Sequence, residues 1–192
     1  MKLYLIQTTN DHSALRLSNR SYFPIVMDLN RISLRDEWQC LNFHFDVDEK
    51  DPKDRPTICT VPSSGAIAFP LTAKDSIFPN PCVDLEFLSI QVNGESWLIL
   101  NCLKTTKDYD LAKSKIFRDL DSGEIYFFQK LIVNDASVHD CDVFTIEDSN
   151  RMYLFSTPSF RQRILATEYG GLSFAEIGTL IDPSRDPPHR IA

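Results

Sequence analysis

Two apolar runs, Leu85-Glu-Phe-Leu-Ser-Ile-Gln-Val92 and Glu95-Ser-Trp-Leu-Ile-Leu-Asn-Cys-Leu103, stand on either side of Asn93-Gly94. Asn-Gly between strand-forming segments favours a two-residue type I′ turn, because both positions need positive φ, so the pattern predicts a β-hairpin. Residues 3–7 read as a strand, and residues 36–45 place Trp38, Cys40 or Leu41, Phe43 and Phe45 near period two, a strand with one irregularity. Residues 22–27 fit neither period and stay unassigned. Thr72, with Asp75 three residues on, is a helix-start signal of the capping-box type, and Pro79 and Pro81 keep that helix short. Residues 124–133 read as a strand; residues 143–146 and 152–155 flank Glu147-Asp-Ser-Asn150 as a second hairpin. Thr157 as N-cap, Pro158 as first helical residue and Gly170-Gly171 behind them bound a helix over 158–168. Leu172 and Phe174 then form an edge strand, and the prolines of 182–192 make an extended tail. Strands grouped together with few helices predict an α+β fold, mainly antiparallel sheet with a few short helices. It forms one domain over 1–181, divisible into lobes at 1–80 and 81–181.

Composition narrows the partners. A chain of 192 residues can bury a sizeable core, and its 13 Phe and 6 Tyr favour a strand-rich one, while 6 Gly leave little for phosphate-cradling loops. A net charge of −7 without clustered Lys or Arg repels phosphate backbones, so no nucleic-acid partner is expected. No apolar run is long enough to span a bilayer, and the amino terminus reads as a strand rather than a signal peptide, so no membrane partner is expected either. Cysteines 40, 59, 82, 102 and 141 form no CxxC pair. That scattered, odd set argues against zinc and reads as reduced, mostly buried thiols rather than a disulfide framework.

Candidate chemistry is sparse. The sequence contains no GxSxG, GxxxxGK[ST], HExxH or GxGxxG, and His12, His44, His139 and His189 are dispersed. His44, between Phe43 and Phe45, reads as an exposed alternate position on a strand. Two acidic concentrations remain. Asp46, Asp48, Glu49, Asp51 and Asp54 superficially resemble a calcium loop, but Lys50 occupies a ligand position and the turn glycine is missing. Asp135, Asp140, Asp142, Glu147 and Asp148 span a stretch without Lys or Arg, readable as solvated turns or as a patch that steers a basic partner.

Several of these segments carry a family resemblance. Trp97-Leu-Ile-Leu-Asn-Cys-Leu103 precedes a polar turn and Asp108-Tyr-Asp-Leu-Ala-Lys-Ser114; Asp142-Val-Phe144 follows, then Tyr153-Leu-Phe-Ser156, the helix from Phe160 to Leu165, and Gly171-Leu-Ser-Phe174. Over about residues 84–180 this resembles immunity-protein family eleven of bacterial polymorphic-toxin systems. Pro158 after Thr157 departs from the family's simpler helix cap, and residues 10–80 carry no match. The resemblance implies a cytoplasmic antitoxin that binds the toxin domain encoded beside it and blocks its active site, with no cofactor or metal. The candidate toxin-binding residues are then Asp135, Asp140, Asp142, Glu147 and Asp148, with Asp46, Asp48, Glu49 and Asp51. The competing readings are an enzyme that reverses the toxin's modification and a non-catalytic adaptor.

Overall fold

The structure, a computed structural model, describes residues 1–9, 11–46, 54–149 and 152–182. In chain order the strands are β1 (Lys2–Thr8), β2 (Leu15–Leu17), β3 (Leu41–Phe45), β4 (Cys59–Thr60), β5 (Ile67–Pro70), β6 (Leu85–Val92), β7 (Glu95–Cys102), β8 (Thr105–Thr106), β9 (Lys115–Arg118), β10 (Ile125–Asn134), β11 (Val143–Ile146), β12 (Phe155–Ser156) and β13 (Leu172–Ile181). The helices are α1 (Phe23–Met27), α2 (Lys74–Ile77) and α3 (Pro158–Leu165). One sheet has six strands in the order β2-β3-β6-β7-β5-β4, the other seven in the order β8-β11-β12-β1-β13-β10-β9. The fold is α+β. Its sheets are mixed rather than purely antiparallel, because β3–β6, β8–β11 and β10–β13 run parallel.

The alternation along β7 shows how the layers stack. Trp97 and Ile99 face one apolar cluster with Leu15, Val26, Phe43 and Val61, whereas Leu98 and Leu100 face another with Phe69, Phe78, Val143 and Phe160. A strand covered on both faces needs apolar residues at every position, which is why this run shows no polar alternation. The second of these clusters is shared by both sheets, with α2 and α3 packed into it; Phe78 lies 5.7 Å from Phe69 and 5.3 Å from Phe160 between ring centroids. A third cluster, including Leu3, Phe128, Phe144 and Phe155, lies on the other face of the seven-stranded sheet.

The predicted hairpin is present: Val92 pairs with Glu95, and Asn93 and Gly94 take φ values of 50° and 84°. The strand over 124–133 is also present, and the second hairpin only in part: Val143 and Phe144 pair with Ser156 and Phe155, whereas residues 152–154 lie outside the strand and Thr145 and Ile146 pair with β8. Thr157 caps α3, its hydroxyl accepting the Phe160 N–H at 3.4 Å with Pro158 in the first turn.

Other expectations are corrected. The strand expected over 36–45 begins only at Leu41; residues 35–37 form a turn, and Trp38 sends its indole N–H to the Ser89 carbonyl at 2.9 Å. Thr72 caps nothing: a 3-10 turn begins at Leu71 after Pro70 and runs into α2. Helix α3 stops at Leu165, and Gly170 instead accepts the N–H groups of Thr57 and Ile58 through its carbonyl. Leu172 and Phe174 belong not to an edge strand but to β13, a ten-residue strand between β1 and β10. A Cβ at Gly178 would collide with the Leu131 carbonyl of β10, so glycine is what permits that close parallel pairing. The sheets also divide the chain differently from a cut at residue 80, since β6 and β7 join the earlier strands while β1 joins the later ones. Finally, Cys82 and Cys141 form a disulfide across a Cα separation of 5.5 Å; spacing alone hid this, because their 59-residue separation is closed only by tertiary packing. Residues 183–192 of the expected tail lie outside the described residues.

Candidate protein-docking surface

The acidic stretch 135–148 is divided by the fold. Asp140 and Asp142 precede β11, Glu147 and Asp148 follow it, and Asp135 opens a 3-10 turn after β10. Four of these carboxylates meet cations supplied from other segments. Lys104 reaches Asp140 at 2.7 Å, Lys107 lies 3.9 Å from Glu147, and Arg118 reaches Asp148 at 2.8 Å. Arg163 pairs with Asp142 and also donates through Nε to the Ile77 carbonyl at 3.1 Å, so Asp142 braces α3 against β11 and α2. Asp135 has no ion pair among the described residues. A stretch without Lys or Arg in sequence therefore becomes nearly neutral in space. Hydrogen bonding to Lys104 and Arg118 holds the carboxyls of Asp140 and Asp148 below their ordinary values, against the smaller opposing effect of burial.

Asp46 pairs with Arg16 at 3.2 Å, and Asp54 accepts the Ser13 N–H at 3.0 Å through its carbonyl; Asp48, Glu49 and Asp51 lie outside the described residues. The described histidines are separate, each engaged with a hydroxyl or carbonyl: His12 with Thr9, His44 with Ser18, His139 with Ala136. His44 is exposed on β3, as its alternation predicts. Burial pushes the Cys59 thiol up to about 12, leaving it protonated and inert. Among the described residues no group of three or more His, Cys, Asp or Glu side chains gathers as a metal site, and no helix is long and apolar enough to cross a membrane.

The residues that carry the family resemblance take mainly structural places. Asn101, fully buried on β7, donates to the Ile32 carbonyl at 2.9 Å and to Glu86 at 2.8 Å while accepting the Asn30 N–H at 2.6 Å. Asn30, at φ 65°, accepts the Cys102 N–H through its side-chain Oδ1 at 2.8 Å. Glu86, 4% exposed, also accepts from Ser33 and from the Leu34 N–H at 3.1 Å. Burial acts to raise its pKa, but these hydrogen bonds and the Arg35 charge together lower it. Asp108 and Asp110 organise the turn after β8: Asp108 accepts from the Asn134 amide at 2.7 Å, and Asp110 from the N–H groups of Ala112 and Lys113 at 3.0 Å.

The surface that stands out is the β9–β10 hairpin at one edge of the seven-stranded sheet. Ile116 and Phe128 turn inward to the third cluster, while Phe117 and Phe127 turn outward, 44% and 51% exposed, their ring centroids 5.6 Å apart. Irregular pairing on either side of Phe127 and Phe128 breaks the alternation, so that Tyr126, 57% exposed, faces solvent as well. At the tip Leu120 is fully exposed between Asp119 and Asp121, with Glu124 beyond. The Asp119 carboxylate accepts the N–H groups of Asp121 and Ser122 at 3.0 and 2.8 Å, bonds that fix the turn and lower its pKa.

This hairpin is braced from beneath. Arg118 donates to the Gly123 carbonyl at 2.7 Å, the Tyr109 hydroxyl at 2.6 Å and Asp148 at 2.8 Å, and the Tyr153 hydroxyl donates to the Tyr126 carbonyl at 2.6 Å. Exposed apolar side chains on a backbone held in place, with Asp119, Asp121 and Glu124 at the tip and exposed Lys115 and Lys130 paired further along the strands, fit a partner surface with an apolar pocket. Sequence reading missed Phe117, Leu120, Tyr126 and Phe127. The usable signal was Tyr126-Phe127-Phe128, three consecutive aromatics that no one face of a strand can bury. No protein-family model and no curated protein matches the chain.

Proposed function

We propose that this protein is an antitoxin, an immunity protein that binds the toxin domain of an antibacterial effector and blocks its active site, and that it docks through the β9–β10 hairpin. The observation that carries the reading is the outward pair Phe117 and Phe127 on a braced edge hairpin that also exposes Leu120 and Tyr126. Exposed aromatics of this kind supply most of the binding energy in inhibitory interfaces, and surrounding charge supplies orientation and association rate. The resemblance over 84–180 supports the same class of partner, and a chain of net charge −7 suits a basic toxin cleft.

In the cytoplasm, where this reading places the protein, Cys82 and Cys141 stand as a dithiol whenever the compartment reduces them, and the shared core then holds the sheets together without the bond. The test is stoichiometry. Purified protein added to the toxin domain encoded beside it should abolish activity near equimolar amounts and form a complex stable to gel filtration. Recovery of many already modified target molecules per copy, after the toxin is removed, would assign the protein to the reversal enzymes instead.

A further inference from the structure

The six-stranded sheet keeps a second, chemically different surface. β2 is an edge strand, paired with β3 through Leu15↔Phe45, Arg16↔His44 and Leu17↔Phe43. Asp46 donates its N–H to the Ala14 carbonyl at 2.8 Å, and Ser18 donates to the Asn42 carbonyl at 2.9 Å. Bonded residues alternate in an antiparallel ladder, so the N–H and C=O groups of Leu15 and Leu17 turn away from β3. On that side the preceding Ser13 N–H is bonded to the Asp54 carbonyl at 3.0 Å, and no strand among the described residues pairs with Leu15 and Leu17.

A groove of about 910 Å³ lies along this edge. Its accessible apolar lining is Phe23, 48% exposed, with half-buried Leu17, laid over the buried Leu15, Val26, Phe43 and Val61. Its far wall is the Val61–Pro62–Ser63 turn just after β4, which is the opposite edge strand of the same sheet. Both edges of one sheet thus border one seam. Arg16, Arg20 and His44 line it together with Asp46. Asp46 engages Arg16 at 3.2 Å, whereas Arg20 has no ion pair among the described residues. Among the described residues the seam therefore keeps one cation, Arg20, beyond its Arg16–Asp46 pair, on a protein of net charge −7.

We propose that this seam binds an extended segment of a partner protein in which carboxylate and apolar side chains alternate, added as a further strand to β2. Each feature has its counterpart in such a segment. Outward N–H and C=O groups of Leu15 and Leu17 pair with its backbone, Phe23 and Leu17 take every second side chain, and Arg20, His44 and Arg16 meet the carboxylates between. A free strand edge selects a peptide backbone over a phosphate chain, which the overall charge also repels. The inference stands apart from the antitoxin reading, since it concerns the other sheet and holds whatever the partner's activity.

The test uses isotope-labelled full-length protein and four probes: acetyl-Glu-Val-Glu-Leu-Glu-Val-amide, its counterpart with lysine for glutamate, the acidic peptide N-methylated at alternate amides, and sodium glutamate. The acidic peptide should shift the amide resonances of Leu15 and Leu17 and bind about tenfold more tightly than the other probes. Arg20→Glu, at an exposed position without an ion pair among the described residues, should weaken that binding about fivefold and leave the unfolding midpoint unchanged. Equal binding of the N-methylated peptide would overturn strand addition, and equal binding of glutamate would overturn the peptide as occupant. Absence of any shift at millimolar acidic peptide would overturn the site altogether.

Discussion

Arg118 on β9 and Asp148 in the turn after β11 meet at 2.8 Å, with the Tyr109 hydroxyl 2.6 Å from the first and 2.9 Å from the second. This contact joins the exposed hairpin to the segment that sequence alone marked as an acidic patch. It makes Asp148, expected from sequence as a docking carboxylate, the brace of the β9–β10 hairpin.

Acid should loosen that brace. Asp148 is lowered chiefly by its hydrogen bond from Arg118, Asp140 by that from Lys104, and Glu86 by hydrogen bonds that outweigh burial. Groups with depressed folded pKa values stabilise the protein above their unfolded values, about 4, and that stability is lost as pH falls through the folded values. Urea unfolding should therefore be flat from neutral pH to about 5 and weaken steadily below about 4. Asp148→Asn should cost about 0.5 kcal/mol at neutral pH, the pair being more than a third exposed, and should flatten part of the acid limb. A variant with the same acid limb as the parent would remove Asp148 from this account.

The disulfide ties the loop after α2, in the half of the chain that builds the six-stranded sheet, to the start of β11 in the other sheet. Closing a loop with ends 59 residues apart restricts the unfolded chain, an effect of about 4 kcal/mol in the chain-entropy account. Reductant, or Cys82→Ser with Cys141→Ser, should lower the urea midpoint accordingly while leaving a folded protein, because Phe78, Phe160, Leu100 and Val143 still join the layers. An unchanged midpoint under full reduction would contradict this.

At the β6–β7 turn, a side chain on Gly94 meets nothing within 4 Å, so any penalty there is conformational. Asn93→Val with Gly94→Val forces branched residues to positive φ and should cost about 2 to 4 kcal/mol in thermal or urea unfolding. An unaltered transition would show that the turn does not hold the hairpin.

Local chemistry made much of the fold readable. Asn93-Gly94 and Thr157-Pro158 specify their turn and cap through φ preference and a missing N–H, and both stand where expected. What stayed hidden depended on distant partners. β13 is central because Gly178 lets β10 approach, its residues are only partly buried, and it therefore reads as an edge. The acidic stretch appeared unpaired because Lys104, Lys107, Arg118 and Arg163 come from four other segments. The aromatic hairpin was written in the sequence as Tyr126-Phe127-Phe128, but a bulge decides which of these rings face water.

The account turns on Phe117 and Phe127, and inhibition of the toxin domain proposed as partner by the Phe117→Ser/Phe127→Ser variant tests it most directly. Both rings are about half exposed, so unfolding stability should change by no more than about 1 kcal/mol. Affinity for the toxin should fall about 30-fold or more, the loss expected when roughly 2 kcal/mol of aromatic anchoring is removed. A folded variant that still inhibits the toxin at equimolar amounts with parental affinity would contradict the placement of the docking surface on the β9–β10 hairpin.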